Sequence, residues 1–246
     1  MFLYKNVDFV CDMVNNENIE IISSDSDSEE VIISTLDLDS LEGTNWITDN
    51  VVTEYINLLK IVYHERIFCF SSHFFEHFSS GGIDVVRRWT KNENIFKKKL
   101  VFYPIIQNSH WFLAVQNNEN QTLTMYDPFT DVKELLCINE EKVSKKETPK
   151  TFKLVQQHNE RLNNILYGYL CQHVDKPNEL NFTVSVKIPP EIPHQRNGHD
   201  CGVYMLQFMK YIAMDKIINF TNEDMSFLRN DMRTEIISKT LRPTLQ

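Results

Sequence analysis

Residues 195–202 read Gln-Arg-Asn-Gly-His-Asp-Cys-Gly, and an apolar run at helical spacing follows them. Asn197-Gly198 is a tight-turn signal, so the chain is expected to reverse just before Cys201 and to begin a helix there. A thiolate at a helix N-terminus is stabilised by the helix dipole and by backbone N–H groups. This stretch therefore predicts a nucleophilic cysteine inside a folded catalytic domain.

The neighbours of Cys201 fit the same chemistry. Gly202 lets a substrate carbonyl approach the backbone closely. Gln195 precedes the cysteine by six residues, and its side-chain amide can donate to a developing oxyanion. The alternative is an inert cysteine at a helix start, which is the interpretation favoured for the other four cysteines: Cys11, Cys69, Cys137 and Cys171.

A predicted β-hairpin supplies a base for this nucleophile. The runs 100–106, 111–116 and 122–127 are rich in β-branched and aromatic residues, and a polar break at 117–120 separates the last two. Pairing Gln116 with Gln121 places His110 opposite Asp127, where a carboxylate can orient and stabilise the imidazole. The alternative keeps His110 as an edge polar residue and Asp127 as the start of an Asp-Pro turn.

Together these residues indicate a cysteine hydrolase with a thiolate, a histidine base, an orienting aspartate and a glutamine amide. His194 and His199 are rival bases because they lie close to Cys201 in sequence. Neither has an evident carboxylate across a strand, so His110 is preferred.

The order of these motifs resembles that of the Ulp/SENP family of SUMO-processing cysteine peptidases. The resemblance covers about residues 36–240 and includes a helix start at residues 46–52, Trp-Ile-Thr-Asp-Asn-Val-Val. It implies an α+β, papain-like fold with chain order His-Asp-Gln-Cys. It implies a catalytic set in which each residue has one role: Cys201 as nucleophile, His110 as general base and acid, Asp127 as orienter and Gln195 as oxyanion donor.

The resemblance also implies a substrate site. Trp46 and Trp111 look like the two tryptophans that cover the extended Gly-Gly tail of the substrate, since two flat rings leave room only for glycine backbone. Core packing at a helix start is the alternative for Trp46. Asp49 either holds the ubiquitin-like partner or caps the helix.

The N-terminal region differs in composition from the rest of the chain. Residues 19–34 place Ser, Asp and Glu between two β-branched runs, and we expect a disordered acidic tail over 1–35 and a catalytic domain over 36–246. The two runs resemble SUMO-interacting motifs that add a strand to a sheet edge: Ile19, Ile21 and Ile22, then Val31, Ile32 and Ile33. The alternative is a solvated acidic tail. A Lys-rich segment, 139–164, is expected to be a charged surface insertion.

Composition bounds the remaining possibilities. The chain has 246 residues, a formal net charge of −9 and five cysteines without a C-x-x-C pair. A disulfide scaffold and a zinc site built from cysteines are disfavoured, and the acidic balance argues against nucleic-acid binding. We expect no membrane span, no cofactor and a monomer in a reducing compartment, and the resemblance implies a nuclear location with a cytoplasmic share.

The resemblance implies that this cysteine hydrolase is a SUMO-specific isopeptidase that cleaves after a terminal Gly-Gly, in conjugates or in a precursor, with SUMO and SUMO-conjugated proteins as partners. A protease for another ubiquitin-like protein, such as Nedd8, would use the same residues. A non-catalytic SUMO-binding protein is the alternative outside enzymes.

Overall fold

The computed structural model describes residues 31–129, 164–172, 181–187 and 191–245. A five-stranded mixed sheet lies at its centre, with strands in the order in which they occur along the chain. The strands are β1 (Ile67–Cys69), β2 (Leu100–Gln107), β3 (His110–Asn117), β4 (Thr122–Tyr126) and β5 (Thr183–Lys187). The three middle strands are antiparallel, whereas β1 and β5 pair with their neighbours in parallel.

Six helices surround the sheet within the described residues. They are α1 (Thr35–Asp39), α2 (Asp49–Tyr63), α3 (Phe74–Val86), α4 (residues 164–172), α5 (Cys201–Ala213) and α6 (Met225–Ser238). Short 3₁₀ turns occupy Arg87–Thr90, Ile95–Lys97 and Asn222–Asp224. The predicted α+β class is confirmed.

Helices cover both faces of the sheet. On β3, Trp111, Leu113 and Val115 join a buried cluster with residues of α2, α5 and α6. The alternate residues Phe112 and Ala114 join a second cluster with α3 and α4. Because both faces are covered, the central strands are apolar almost throughout. One consequence is that α5, which begins at the candidate nucleophile, packs on β3, which begins at the candidate base.

The helices that frame the site follow local signals. The Thr48 hydroxyl accepts from the Val51 N–H at 3.3 Å and caps α2. The helix α3 is interrupted at Gly82, which has φ 70° and ψ −166°. Glycine adopts this positive φ at little cost.

The register of the β3–β4 hairpin differs from the prediction. Gln116 pairs with Leu123 rather than with Gln121, and the ladder runs on to Asn117 and Thr122. The Asn117 side-chain oxygen accepts from the backbone N–H groups of Glu119 and Asn120, at 3.0 and 3.1 Å, and so starts the turn one residue later than expected. A turn moved by one residue changes each partner by two, so side chains keep their faces.

The predicted domain boundary also needs correction. Ile33 is only 1% exposed and belongs to the core cluster. Ser34 and Asp37 form a reciprocal capping box that begins α1. Residues 31–35 therefore belong to the folded part rather than to the tail. Residues 1–30 and almost all of the predicted insertion, 139–164, lie outside the described residues.

Candidate active site

Cys201 is the first residue of α5 and is 6% exposed. The turn before it is held by Asn197, whose side-chain oxygen accepts from the N–H groups of His199 and Asp200 at 3.1 and 3.0 Å. Nearly all of α5 is buried, so the start of the helix is fixed by packing. The first N–H groups of a helix have no intrahelical partner and point at this end, where negative charge is favoured.

His110 and Asp127 are in contact, as the hairpin predicted. His110 begins β3 and Asp127 directly follows β4, and the His110 Nε2 lies 2.8 Å from the Asp127 Oδ1. The same oxygen accepts from the Phe129 N–H at 3.0 Å, and Asp127 is fully buried. Since Nε2 faces the carboxylate, Nδ1 is the ring nitrogen that remains for the cysteine.

The electrostatics of His110 favour its charged form. Burial lowers the pKa of His110, but the Asp127 carboxylate, together with a hydrogen bond and charge interaction with Cys201, raises this pKa from 6.5 to about 10. At neutral pH the imidazole is therefore protonated beside the sulfur. A cation at this position stabilises negative charge on Cys201.

Gln195 lies at the edge of this arrangement. Its backbone N–H donates to the Pro128 carbonyl at 2.9 Å, which ties the residue to the segment that follows Asp127. Its side-chain Nε2 donates to the Asn197 carbonyl at 2.5 Å, and its Oε1 is buried without a hydrogen-bond partner in the described part of the chain. An amide nitrogen has two hydrogens, so a second donor remains for an oxyanion.

Replacement of Gln195 by alanine is expected to lower kcat about 10²–10³-fold and to change KM little, because the oxyanion exists only along the reaction path. Steady-state hydrolysis of fluorogenic SUMO, the substrate that the resemblance implies, measures both constants. Iodoacetamide alkylation of Cys201 forms no oxyanion and should keep its wild-type rate, which makes it the internal control. An unchanged kcat with a raised KM would argue against the oxyanion role.

A groove of about 350 Å³ leads to the nucleophile. One wall comes from the start of α2 and the residues before it, and the other from the β2–β3 turn. The lining residues are Trp46, Ile47, Thr48, Asp49, Ile106, Ser109, Trp111, His199, Cys201 and Gly202. Trp46 is 59% exposed, so the structure does not support core packing as its role. Trp111, in contrast, is buried.

Gly202 is required by its neighbours at the base of the groove. A Cβ at this position would lie 2.6 Å from two side-chain carbons of Ile47 and 3.3 Å from Trp111. The sequence suggested that Gly202 serves the approach of a substrate. The structure adds that it lets the two walls of the groove meet beside Cys201.

Gly202→Ala is expected to destabilise the protein by about 1–3 kcal/mol through overpacking against Ile47. The added methyl group would also displace Ile47 and move the groove wall that carries Trp46. We therefore expect kcat/KM to fall at least about tenfold. Thermal unfolding and fluorogenic hydrolysis measure the two effects. Gly168→Ala on α4 is the matched control, since a Cβ there meets nothing within 4 Å. Wild-type kcat/KM in Gly202→Ala would contradict this role of the glycine.

The geometry agrees with comparisons to known proteins. Residues 45–242 match the Ulp1 protease family, C-terminal catalytic domain. The chain belongs to the Ulp1 protease family. Sentrin-specific protease 2 of Mus musculus is 30% identical over 231 residues, which are 90% of this chain and 34% of that protein. Sentrin-specific protease 3 of Mus musculus is 28% identical over 207 residues, 83% of this chain and 32% of that protein. The chain thus spans about a third of these relatives.

A solved structure gives the same answer for the fold. The C-terminal Ulp1 protease domain in complex with Smt3, the yeast ortholog of SUMO, superposes with a TM-score of 0.68 at 20% identity. The superposition covers 92% of this chain and 90% of that domain. The expected Ulp-type α+β catalytic fold is confirmed.

The structure separates the alternatives left open for Asp49. Thr48 supplies the cap of α2, and Asp49 is exposed in its first turn and lines the groove. An exposed carboxylate at a helix N-terminus adds some stability to the helix. Its position on the groove leaves it available to a basic group on a partner.

The rival bases of this Ulp1-family domain lie in less suitable places. His199 lines the groove, but its Nε2 is 3.8 Å from the Asp200 Oδ2, beyond hydrogen-bond distance. His194 is exposed, and burial of part of its ring together with Arg196 lowers the pKa of His194. The described side chains thus bring His110, rather than either rival, against both Asp127 and Cys201.

The remaining cysteines show no comparable setting. Burial raises the pKa of Cys69 to about 12, which keeps its thiol protonated. Cys171 is a free, half-buried cysteine on α4. Cys11 and Cys137 lie outside the described residues. Among the described side chains no cluster of metal-binding type occurs, and no described helix has the length and apolarity needed to cross a membrane.

The predicted tail motifs fall into two groups. Ile19, Ile21 and Ile22 lie outside the described residues. In the second motif Ile33 is buried in the core, whereas Ile32 is exposed. Ile33 cannot add to the sheet edge of a partner while it is packed in this core. The second motif is therefore corrected: it begins the folded domain.

Sequence reasoning missed two contributors to the site. The Phe129 ring packs against His110 with ring centroids 5.5 Å apart and a tilt of 47°, and the Phe129 backbone N–H donates to Asp127. Its position two residues after Asp127 could have indicated this backbone contact, because an aspartate side chain often accepts from the N–H two residues later. Arg229 contacts the residue before the nucleophile from α6, and nothing local in the sequence marks it.

Proposed function

We propose that this chain is a SUMO-specific cysteine isopeptidase that cleaves after the C-terminal Gly-Gly of SUMO. The observation that carries the proposal is the placement of Cys201 beside the buried His110–Asp127 pair, at the base of a groove bordered by Trp46. The proposed substrates are SUMO conjugates on lysine side chains, and SUMO precursors.

The chemistry follows from the charges in the site. The Cys201 thiolate attacks the carbonyl carbon of the terminal glycine, and the resulting oxyanion is met by backbone N–H groups of α5 and by Gln195. The imidazolium of His110 gives its proton to the leaving amine as the C–N bond breaks, which leaves a thioester. His110 then takes a proton from water, the hydroxide displaces the sulfur, and the glycine carboxylate leaves.

The groove suits a tail without side chains. Ile47, Trp111 and Gly202 are packed so closely that a Cβ on Gly202 would lie 2.6 Å from Ile47 and 3.3 Å from Trp111, and a side chain at the base would have to displace a neighbour. An extended Gly-Gly segment has only backbone to accommodate there. The relatives are named as sentrin-specific proteases and the similar solved domain was bound to Smt3, which supports SUMO as the partner.

Two alternatives remain for the experiment to separate. The same side chains would serve a protease for Nedd8 or another ubiquitin-like protein, since the chemistry does not depend on the body of the partner. A SUMO-binding protein without turnover would need the groove but not the His110–Asp127 contact. The short distance within that buried pair favours an enzyme.

The proposed partners and location follow from the proposed activity. SUMO and SUMO-conjugated proteins are the partners, the protein acts as a monomer without nucleic acid or membrane, and it resides in the nucleus with a cytoplasmic share. The Ile19–Ile22 run is proposed to bind SUMO by strand addition.

Covalent probes test the function directly. SUMO, Nedd8 and ubiquitin, each with an electrophile at the C-terminal glycine, are incubated with the wild-type protein and with Cys201→Ala. Labelling by the SUMO probe alone, and only with Cys201 present, is the expected result. Labelling by the Nedd8 or ubiquitin probe instead would replace the substrate assignment, and a folded protein that no probe labels would overturn the proposed activity.

A further inference from the structure

Arg229 is a buried cation near the candidate nucleophile. It lies on α6 and is 2% exposed. Its Nε donates to the Asp200 Oδ1 at 2.8 Å, and its Nη2 lies 2.7 Å from the same oxygen. Asp200 is the residue before Cys201 and is itself buried. A buried ion pair needs further hydrogen bonds to offset the loss of solvation, so the remaining donors of Arg229 are informative.

Those donors reach backbone from two different parts of the chain. Nη2 donates to the Asn45 carbonyl at 2.9 Å and to the His199 carbonyl at 3.2 Å. Nη1 donates to the Ser40 carbonyl at 3.1 Å. One planar guanidinium therefore joins α6, the turn before the nucleophile and the segment that leads to Trp46.

These contacts border both sides of the groove. Asn45 is bonded to Trp46, which lies on one wall, and Asp200 is bonded to Cys201 at the base. The Asp200 carboxylate makes no cap for α5, but accepts from the Asn197 side chain at 2.7 Å and from Arg229. The carboxylate thus fixes the turn, and Arg229 fixes the carboxylate.

We propose that Arg229 is a positioning residue for the reaction: it holds the Cys201 turn and the Trp46 segment at a set separation. This inference rests on the proposed function for its role in turnover. Lysine cannot replace the arginine in this task, because a single ammonium cannot meet Asp200 and three carbonyls in one plane. A purely structural arginine would affect the stability of the domain and not the reactivity of Cys201.

The neighbouring Arg233 provides a matched control. It lies one turn later on α6, its side chain is 30% exposed, and it also binds the N-terminal segment. Its Nη1 donates to the Leu38 carbonyl at 3.1 Å and to Glu42 at 2.9 Å. Among the described residues, its partners lie in the 38–42 segment rather than in the nucleophile turn.

The experiment compares Arg229→Lys with Arg233→Lys in the full chain. Two rates are measured per folded molecule: turnover of a SUMO substrate with a fluorogenic leaving group, and iodoacetamide alkylation of Cys201, taken as the difference from Cys201→Ala. We expect Arg229→Lys to lower kcat and the alkylation rate about tenfold, and Arg233→Lys to leave both within about twofold of wild type.

Each outcome decides the matter. Wild-type kcat and alkylation in folded Arg229→Lys would overturn the proposal, even if its thermal stability falls. If Arg229→Lys does not fold, Asp200→Asn takes its place, because it puts an amide donor opposite the Asn197 donor, and the same losses are expected. If the wild-type protein does not turn over SUMO, the proposed function fails, and the alkylation rates still test the positioning role.

Discussion

Cys201→Ser is expected to leave no measurable turnover of SUMO conjugates, the proposed substrates. The hydroxyl is a far weaker acid than the thiol, so the imidazolium of His110 cannot hold it as an anion. Loss of a nucleophile that works as a unit with its base costs on the order of 10⁴–10⁶ in kcat. The measurement is release of SUMO from a conjugate, followed on gels over long incubation at high enzyme concentration.

The serine variant should still fold and bind. Cys201 and serine differ little in volume, and the groove walls are untouched, so we expect Cys201→Ser to trap conjugates that the wild-type protein would cleave. Cys171→Ser is the matched control, because it removes a half-buried thiol of α4 and should keep full activity. Turnover of the serine variant within about tenfold of wild type would place the nucleophile elsewhere.

The sequence was sufficient for the parts of the site that depend on local patterns. The turn at Asn197-Gly198 and the apolar helix after Cys201 are short-range features, and the structure has both. The contact between His110 and Asp127 depended only on which face of a hairpin each residue occupies. That face survived an error of two residues in the register, because strand side chains alternate with a period of two.

Other parts could not be predicted from local patterns. The strand Ile67–Cys69 has three residues, too few for alternation to be recognised, and it forms because β2 offers a parallel partner. The helix at Thr35–Asp39 had a capping box, Ser34 to Asp37, but the acidic composition around it suggested a tail instead. Burial of Ile33 decided that boundary, and burial is a tertiary property.

Arg229 is the clearest example of a residue whose role local sequence patterns cannot predict. Its partners Ser40 and Asn45 lie 189 and 184 positions away in sequence, and Asp200 lies 29 positions away. An arginine on a helix is usually exposed to solvent. This one is buried because α6 packs against the segment that contains Ser40 and Asn45. Residues that hold a site together from a distance need the structure to be found.

Asp127→Asn is expected to lower kcat/KM at neutral pH on the order of 10³–10⁴-fold. The Asp127 Oδ1 accepts from both His110 and the Phe129 N–H, and an amide oxygen at the same position can accept both bonds. The substitution therefore removes the charge with little change in shape. Asp84 lies on α3 and forms an exposed ion pair with Arg87, so Asp84→Asn makes the same change in net charge away from the site and should leave kcat/KM unchanged.

The pH dependence of kcat/KM should differ between the wild-type protein and Asp127→Asn. Burial lowers the pKa of His110, and the Asp127 carboxylate outweighs it, so that the pKa rises from 6.5 to about 10. Without the carboxylate charge the effect of burial is opposed only by Cys201, and the pKa must fall. The alkaline limb of kcat/KM, which reports loss of the imidazolium, is expected near pH 10 in the wild-type protein and at lower pH in Asp127→Asn.

The raised pKa of His110 also predicts how the stability of the fold depends on pH. Because the pKa of His110 is raised on folding, its protonation stabilises the native state fully below pH 6.5, and this contribution is lost as the pH rises through about 10. Urea unfolding across that window should therefore show stability falling with pH in the wild-type protein and a smaller slope in Asp127→Asn. NMR titration of His110 measures the midpoint itself. A midpoint near 6.5 in the wild-type protein would mean that the buried carboxylate orients the imidazole without holding its charge, and Asp127→Asn would then cost far less activity than expected here.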